Sequence, residues 1–282
     1  MRTATYETPG PLRLRLGLPV GQIEVETVDG TTTTVELEAV SSDMEEVVRD
    51  ARIDCRERGN GHEVVVEVQS RFGIFISFGG HTQDVRLRIT CPHGADLEVS
   101  SKSADVRVRG DLGSVDVKTA SGDTSLGNAK GEVKFKSASG DFQLNHAESR
   151  MQVQTASGDV AVRQVDGEFS AQLVSGDLWV EDARGPVVAN TVSGDQKFDA
   201  VHTGTVETRS VSGDVMIGVR RGCTLYVDAN TVSGSTSSEF DLSDAPDENG
   251  GASEQGPFVE IRAKTVSGDI RITRAPALEL RA

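Results

Sequence analysis

Residues 157–174 read SGDVAVRQVDGEFSAQLV and contain two short runs in which apolar and polar side chains alternate. Val160 and Val162 lie in the first run, and Phe169 and Ala171 lie in the second. Alternation at period two is typical of a β-strand with one buried face, and glycine between such runs is typical of a turn. The stretch therefore predicts two short strands joined by two turns.

The tripeptide Ser-Gly-Asp that opens this stretch recurs along the chain. It begins at Ser121, Ser139, Ser157, Ser175, Ser193, Ser212 and Ser267, with a Ser-Gly-Ser variant at Ser233. The early copies are 139 − 121 = 18 residues apart, and the last interval is 267 − 233 = 34 residues. A fixed period of this size indicates a stack of similar coils.

Apolar residues recur at fixed places in each repeat, and we expect them to point inward. One column lies four residues after each glycine, at Leu126, Leu144, Val162, Val180, Phe198, Ile217 and Ile272. A second lies directly before each serine, at Ala120, Ala138, Ala156, Val174, Val192, Val211, Val232 and Val266. Thr124, Gln196 and Ser238 interrupt the apolar columns that follow the glycines.

These patterns predict an all-β, single-stack parallel β-solenoid with about 18 residues per coil, right-handed because strand crossovers usually are. Residues 1–102 are expected to form degenerate coils with a capping helix at about 42–52, started by Ser42 or Asp43. Residues 103–282 are expected to form the regular array, with an acidic loop inserted at 241–257. The two parts are interpreted as one continuous domain.

The composition of the chain argues against several kinds of partner and location. The net charge of −15 argues against a nucleic-acid partner, because phosphate contacts need clustered Lys and Arg. The apolar stretch Phe72–Phe78 is too short to span a membrane, and the N-terminal residues contain no secretory apolar run. Cys55, Cys91 and Cys223 have no metal-binding spacing and are interpreted as small buried side chains. We therefore expect a cytoplasmic location.

The aspartates of the tripeptides should stack in a column of like charges. Either each carboxylate accepts a local backbone N–H, or cations lie between the carboxylates. Only one turn in each coil carries Gly-Asp, which favours the structural role and predicts no metal and no cofactor. A calcium titration is then expected to leave the melting temperature nearly unchanged.

The sequence contains no pattern typical of an enzyme. The repeated serines have no adjacent base, and the five histidines have no paired metal-ligand spacing. Trp179 is predicted to point outward, with Ala161 and Lys197 beside it in neighbouring coils. Together with the outward Val188, Trp179 and Lys197 form a candidate interaction surface.

The array of [TS]-[AV]-S-G-D turns resembles the bacterial domain-of-unknown-function 4097 family, whose members are often labelled putative adhesins. The segments LPVGQIEVETVDG (18–30) and Val85–Arg109 are similar to the leader of that family. The resemblance covers nearly the whole chain. It implies a β-solenoid and brings no catalytic residues.

The function that we expect is a non-catalytic scaffold or protein-interaction module with an unknown protein partner. One alternative is an adhesin-like surface protein that binds cell-surface or glycan ligands. Another is an enzyme that acts on polysaccharide. Leu278-Glu279-Leu280 near the C-terminus suggests end-to-end self-association.

Overall fold

The computed structural model describes residues 1–68, 85–240 and 256–276. Contacts between Cα atoms divide the chain into unit 1, Met1–Ser149, and unit 2, Arg150–Ala282. The described residues are almost all in strands, with one short helical segment. The predicted stretch Phe72–Phe78 lies outside the described residues, as do most of the predicted acidic loop and Leu278–Leu280.

Unit 1 is built on parallel strands. Its strands are β1 (Arg2–Glu7), β2 (Leu12–Val28), β3 (Thr32–Ala39), β4 (Arg52–Arg58), β5 (Gly61–Glu67), β6 (Val85–Pro92), β7 (Ala95–Arg109), β8 (Asp111–Ser121), β9 (Thr124–Ala129), β10 (Val133–Ser139) and β11 (Phe142–Ala147). The long strand β2 pairs in parallel with β7, and β8 with β10 and β9 with β11 continue the stack. Phe135 and Phe142 pack against each other in its core, with ring centroids 4.4 Å apart.

Three N-terminal strands, β1, β3 and β4, depart from the parallel coils that the sequence predicts for residues 1–102. β1 pairs antiparallel with β3, β3 antiparallel with β6, and β4 antiparallel with β5. The reason is clearest between β4 and β5, where Gly59 (φ 63°) and Asn60 form a two-residue hairpin turn. Such a turn reverses the chain at once, so no coil can form there.

The predicted helix is present, but the predicted side-chain cap by Ser42 or Asp43 is wrong. A 3₁₀ turn at Ser42–Met44 leads into α1 (Glu45–Asp50), and neither segment has a side-chain cap. Glu45 and Glu46 lie in the first turn of α1, where the helix dipole favours acids. At the C-terminal end of α1, the guanidinium of Arg2 donates hydrogen bonds to backbone carbonyl groups.

Unit 2 contains the most regular coils. Its strands are β12 (Met151–Ser157), β13 (Val160–Val165), β14 (Phe169–Ser175), β15 (Leu178–Ala183), β16 (Val187–Ser193), β17 (Gln196–Val201), β18 (Gly204–Ser212), β19 (Val215–Val219), β20 (Thr224–Ser233), β21 (Thr236–Ser238), β22 (Phe258–Ser267) and β23 (Ile270–Arg274). Parallel pairing places Val162 beside Val180 and Val180 beside Phe198, all buried. The predicted parallel β-solenoid is confirmed. Its handedness and the domain boundary after residue 102 stay predictions.

The last two coils do not stack in chain order. β22 pairs with β18 on one side and β20 on the other, and β23 likewise lies between β19 and β21. The C-terminal repeat therefore lies between two earlier repeats. The inner residues of β23, Ile270 and Ile272, need cover on both sides, whereas Thr236 and Ser238 of β21 tolerate exposure.

The column directly before each serine points outward, which contradicts the prediction. In unit 2, Val174, Val192, Val211, Val266 and Val232 are exposed, whereas the residues one position earlier are mostly buried. Strand alternation explains this, because Phe169 and Ala171 point inward and the next inward residue is Leu173. The buried hydroxyls of Thr191 and Thr265 occupy that same inward position in later coils.

Candidate functional site

The aspartate column of unit 2 is engaged by the backbone of the next coil. Oδ1 of Asp177 accepts the N–H of Asp195 at 2.8 Å, and Oδ1 of Asp195 accepts the N–H of Asp214 at 2.8 Å. Asp214 and Asp269 continue the series at 2.8 Å. The bonds run between coils, so the expected local turn bond is corrected to an inter-coil bond. In unit 1, Asp105 and Asp123 accept in the same way.

The end of this column shows the electrostatic effect most clearly. The backbone N–H and then the hydroxyl of Ser235 donate to Asp269, and these hydrogen bonds lower the pKa of its carboxyl. Within residues 1–68, 85–240 and 256–276, no group of three or more His, Cys, Asp or Glu side chains could hold a metal ion.

Glycine is required at the turn that carries each aspartate. Gly194 has φ 129°, and a β-carbon there would lie 2.1 Å from the carbonyl oxygen of Gly176 in the preceding coil. No side chain fits at that distance. The inner side of this turn is therefore closed to a ligand at Gly194.

A valine stripe runs along the outside of unit 2. We define it as Val174, Val192, Val211, Val266 and Val232, in order of neighbouring coils, since the serines that follow them are paired in register. Their exposed fractions are 53, 49, 50, 50 and 82%. Coils about 4.8 Å apart give the stripe a length of about 19 Å. Sequence interpretation missed it, although counting alternate residues from Phe169 would have found it.

Trp179 points outward as predicted and lies on the other ladder, in β15. Its exposed fraction is 45%, and its register partners are Ala161 and Lys197. The indole N–H donates to Oδ2 of Asp199 at 2.7 Å, while Lys197 Nζ lies 2.9 Å from Oδ1 of the same carboxylate. Lys197 Nζ is also 5.6 Å from the indole centroid. These contacts hold the ring in one orientation, which reduces the entropy lost on binding.

The structure brings two of the three predicted surface residues together. Trp179 and Lys197 are in contact, whereas Val188 lies on β16 with Ser170 and Glu207 as its register partners. Val188 is half-buried and belongs to the same ladder as the valine stripe. The single predicted surface thus becomes two separate outward ladders.

A polar cluster at the ends of β15, β17 and β19 was not predicted. The imidazole Nε2 of His202 lies 2.6 Å from Oδ1 of Asp182, and Nε of Arg184 donates to Oδ2 of Asp182 at 3.1 Å. Arg220 lies beside both His202 and Asp182, and the thiol of Cys223 donates to the carbonyl of His202 at 3.3 Å. Since these groups satisfy one another, the cluster joins three coils rather than forming an open site.

The cysteines differ in burial. Cys91 is buried, which raises the pKa of its thiol to about 12. Cys55 and Cys223 are half-buried, so the prediction that all three are buried holds for Cys91 alone. None of the three cysteines forms a disulfide in the described residues, which include every cysteine of the chain. No helix in the described part of the chain is long and apolar enough to cross a membrane.

The family model described as Toastrack DUF4097 matches residues 15–273. The chain belongs to the Toastrack DUF4097 family. The Toastrack match confirms the predicted resemblance and includes all complete Ser-Gly-Asp turns. It assigns no activity to them.

Solved structures similar to this Toastrack chain come from several bacteria. A protein from Bacteroides fragilis described as a putative adhesin is 13% identical, with a TM-score of 0.48 and coverage of 96% of each chain. A protein from Parabacteroides distasonis described as a putative lipid binding protein is 13% identical, with a TM-score of 0.42 and coverage of 97% of this chain and 96% of that one. A putative cell adhesion protein from Clostridium sporogenes is 10% identical, with a TM-score of 0.29 and coverage of 97 and 98%. No curated protein matches the chain.

Proposed function

We propose that the chain is a non-catalytic β-solenoid module that binds a protein partner along the valine stripe of unit 2. The observation that carries the proposal is the row of five half-exposed or more exposed valines on consecutive coils. Contiguous apolar surface on a soluble protein is typical of an interaction site, whereas single exposed apolar residues are common. A rigid row of β-branched side chains also loses little conformational entropy when a partner covers it.

Neighbouring polar residues suit the rim of such an interface. Gln172, Asn190 and Arg209 each lie two residues before a valine of the stripe, on the same outward face and on successive coils. Apolar centres bordered by polar rims are the usual arrangement in protein interfaces. Trp179 provides a second anchor of the kind that carries much of the binding energy in interfaces. A protein partner uses both kinds of group.

The test is affinity capture from native lysate with the full chain and two matched variants. Val174→Lys with Val192→Lys places two charges on the valine stripe and is expected to lose the captured partner. Thr224→Lys with Ser237→Lys adds the same charge at exposed positions of unit 2 outside the stripe and its rim and is expected to keep it. Retention of every partner by the Val174→Lys, Val192→Lys variant would contradict the proposal.

Trp179 is tested in the same way. Trp179→Ala is expected to reduce the yield of the same partner, whereas Phe258→Ala, which removes another exposed aromatic ring from unit 2, is expected to leave it unchanged. An equal yield from Trp179→Ala and wild type would remove Trp179 from the proposed surface.

The absence of catalysis is part of the proposal. A polysaccharide hydrolase needs a carboxylic acid whose pKa is raised beside a second carboxylate. The carboxyl pKa is lowered at Glu63 by the Arg56 guanidinium, and at Asp269 by hydrogen bonds from Ser235. Reducing-sugar release from a polysaccharide panel would contradict this part of the proposal, and a glycan array tests the adhesin alternative.

The proposed location is a reducing compartment, the cytoplasm. Three unpaired thiols support it, because thiols stay reduced there. Cell fractionation tests it, and recovery on the cell surface would favour the adhesin alternative. End-to-end self-association stays a prediction, to be tested by analytical ultracentrifugation.

A further inference from the structure

Unit 1 contains a cavity that none of the surfaces above includes. Its volume is about 370 Å³, near the lower end of the usual range for small-molecule sites, about 300–1,000 Å³. It is lined by Arg107, Arg109, Asp123, Thr124, Ser125, Asp141 and Gln143, with the backbone of Val106 and Val108 nearby. Most of these groups can donate or accept hydrogen bonds.

The junction between β7 and β8 forms one side of this cavity. β7 pairs with β9 at Arg107 and Ser125 and ends at Arg109, and Asp111 at the start of β8 pairs with Asn128 of β9. The chain thus advances 111 − 107 = 4 residues beside 128 − 125 = 3 residues of β9. The extra residue lies at the junction, where Gly110 has φ 94°.

Two arginines border the cavity without protein partners. Among the described residues, neither Arg107 nor Arg109 makes an ion pair, a side-chain hydrogen bond or a ring contact. By contrast, Arg13 of the same unit pairs with Glu98, and Arg88 with Glu24. Two guanidinium groups on one face of β7 are therefore available to an external anion.

The other lining groups determine what kind of anion would fit. Oδ1 of Asp123 accepts the N–H of Asp141 at 3.0 Å, which leaves its second oxygen for another donor. Thr124 is buried, and its hydroxyl has no partner in the described structure. A simple anion would meet repulsion from these carboxylates. A ligand that combines one carboxylate with several hydroxyl groups would satisfy both sets.

We propose that this cavity binds an acidic monosaccharide of the hexuronate class. The guanidinium groups of Arg107 and Arg109, whose Cα atoms are about 6.6 Å apart along the strand, receive the sugar carboxylate, since guanidinium binds carboxylate through two parallel hydrogen bonds. Asp123 and Asp141 accept from the sugar hydroxyls, and Ser125 and Gln143 complete the polar wall. The site is independent of the valine stripe, so each test can fail without the other.

Isothermal titration calorimetry at low salt, with the full chain, compares sodium D-glucuronate and D-galacturonate with D-glucose, sodium acetate and inorganic phosphate. A hexuronate is expected to bind at least about tenfold more tightly than any of the three simpler probes, because each lacks one half of the recognised chemistry. Equal binding of acetate or phosphate would overturn the proposal in favour of a simple anion site. Absence of hexuronate binding at millimolar concentration would also overturn it.

The matched variants carry equal charge changes. Arg107→Ala with Arg109→Ala is expected to lower hexuronate affinity at least about tenfold. Lys134→Ala with Lys136→Ala, which removes two outward cations at the same spacing on β10, is expected to leave it unchanged. Equal losses in both variants would overturn the site. Wild-type amide chemical shifts give a check that needs no variant, because hexuronate should shift Ser125 and Gln143, and shifts confined elsewhere would overturn the proposal.

Discussion

Replacing Thr208 with valine should stabilise unit 2. Thr208 lies in β18, is fully buried, and its hydroxyl has no hydrogen-bond partner among the described residues. Its register partners are Ala189 and Ala263, so the methyl group of valine has small neighbours on both sides. The change removes an unpaired hydroxyl without changing the branched shape of the side chain.

The expected change in the free energy of unfolding has two sources, the hydroxyl that is lost and the methyl group that replaces it. An unpaired buried hydroxyl costs about 1–3 kcal/mol, and the added methyl group contributes up to about 0.8 kcal/mol. Allowing for imperfect fit, we expect the free energy of unfolding to rise by about 1–2 kcal/mol. For a unit of this size, that change raises the melting temperature by a few degrees.

Thr191→Val is the matched control with the opposite expected sign. The hydroxyl of Thr191 accepts the side-chain N–H of the buried Gln196 at 2.7 Å, and the same amide also donates to the carbonyl of Arg209 at 2.9 Å. Valine at 191 removes one of these partners and leaves a buried amide hydrogen unpaired. We expect a loss of about 1–2 kcal/mol.

Urea unfolding followed by the fluorescence of Trp179, the single tryptophan of the chain, measures both variants in unit 2. The expected result is a higher midpoint for Thr208→Val, a lower one for Thr191→Val, and equal slopes. If Thr208→Val lowers the midpoint as much as Thr191→Val does, the hydroxyl of Thr208 has a partner and the reasoning is refuted.

Three further predictions concern charge and thiol chemistry. The Arg56 guanidinium lowers the pKa of Glu63, so the carboxylate of Glu63 stabilises the fold above its unfolded pKa of about 4.5, and this stabilisation is lost as the pH falls through the lowered folded value. Glu63→Gln should therefore lose less melting temperature on acidification than wild type does. Parallel acid curves for the two proteins would contradict this. Asp195→Ala removes the acceptor for a backbone N–H of the next coil and should lower the free energy of unfolding by about 1–2 kcal/mol. Asp195→Asn keeps an acceptor oxygen and should come within about 0.5 kcal/mol of wild type. Equal melting temperatures for the two variants would contradict the inter-coil bond. A thiol reagent at neutral pH should label Cys55 and Cys223 in the native protein and Cys91 only after unfolding, since burial raises the pKa of Cys91 to about 12; native labelling of Cys91 by mass spectrometry would refute its burial.

The fold could be predicted from the sequence because its signal is repeated. Each coil places Val162 and its equivalents in the same inward position, so one weak alternation pattern is confirmed many times. The turns could be predicted equally well from their recurring glycines, since only glycine fits beside the backbone of the neighbouring coil. The same logic placed Trp179 outward beside Lys197, as the structure shows.

The sequence prediction failed where hydropathy and alternation disagree. Val174 and its equivalents are apolar but outward, while Thr191 and Thr265 are polar but inward, because strand geometry decides which face a residue occupies. Alternation counted from Phe169 carries the right answer, so this error was avoidable.

Other features depend on long-range pairing and could not be predicted. The order of the last coils is set by long-range strand pairing across the 34-residue interval between Ser233 and Ser267. No local sequence pattern predicts which strands pair. The cavity beside Arg107 depends on the junction between β7 and β8, which one sequence alone does not mark. The lack of a protein partner for Arg107 is likewise a property of the folded chain.

Paired cysteines on neighbouring coils test the central claim most directly, namely that in-register coils place Val174 and Val192 together on the outside. In a background with Cys55 and Cys223 replaced by serine, the account predicts that Val174→Cys with Val192→Cys reacts with a maleimide and forms an intramolecular disulfide on mild oxidation, since neighbouring coils are about 4.8 Å apart. Leu173→Cys with Thr191→Cys, the inward pair one residue earlier, should stay protected until unfolding. Protection of the first pair together with ready reaction of the second would contradict the account.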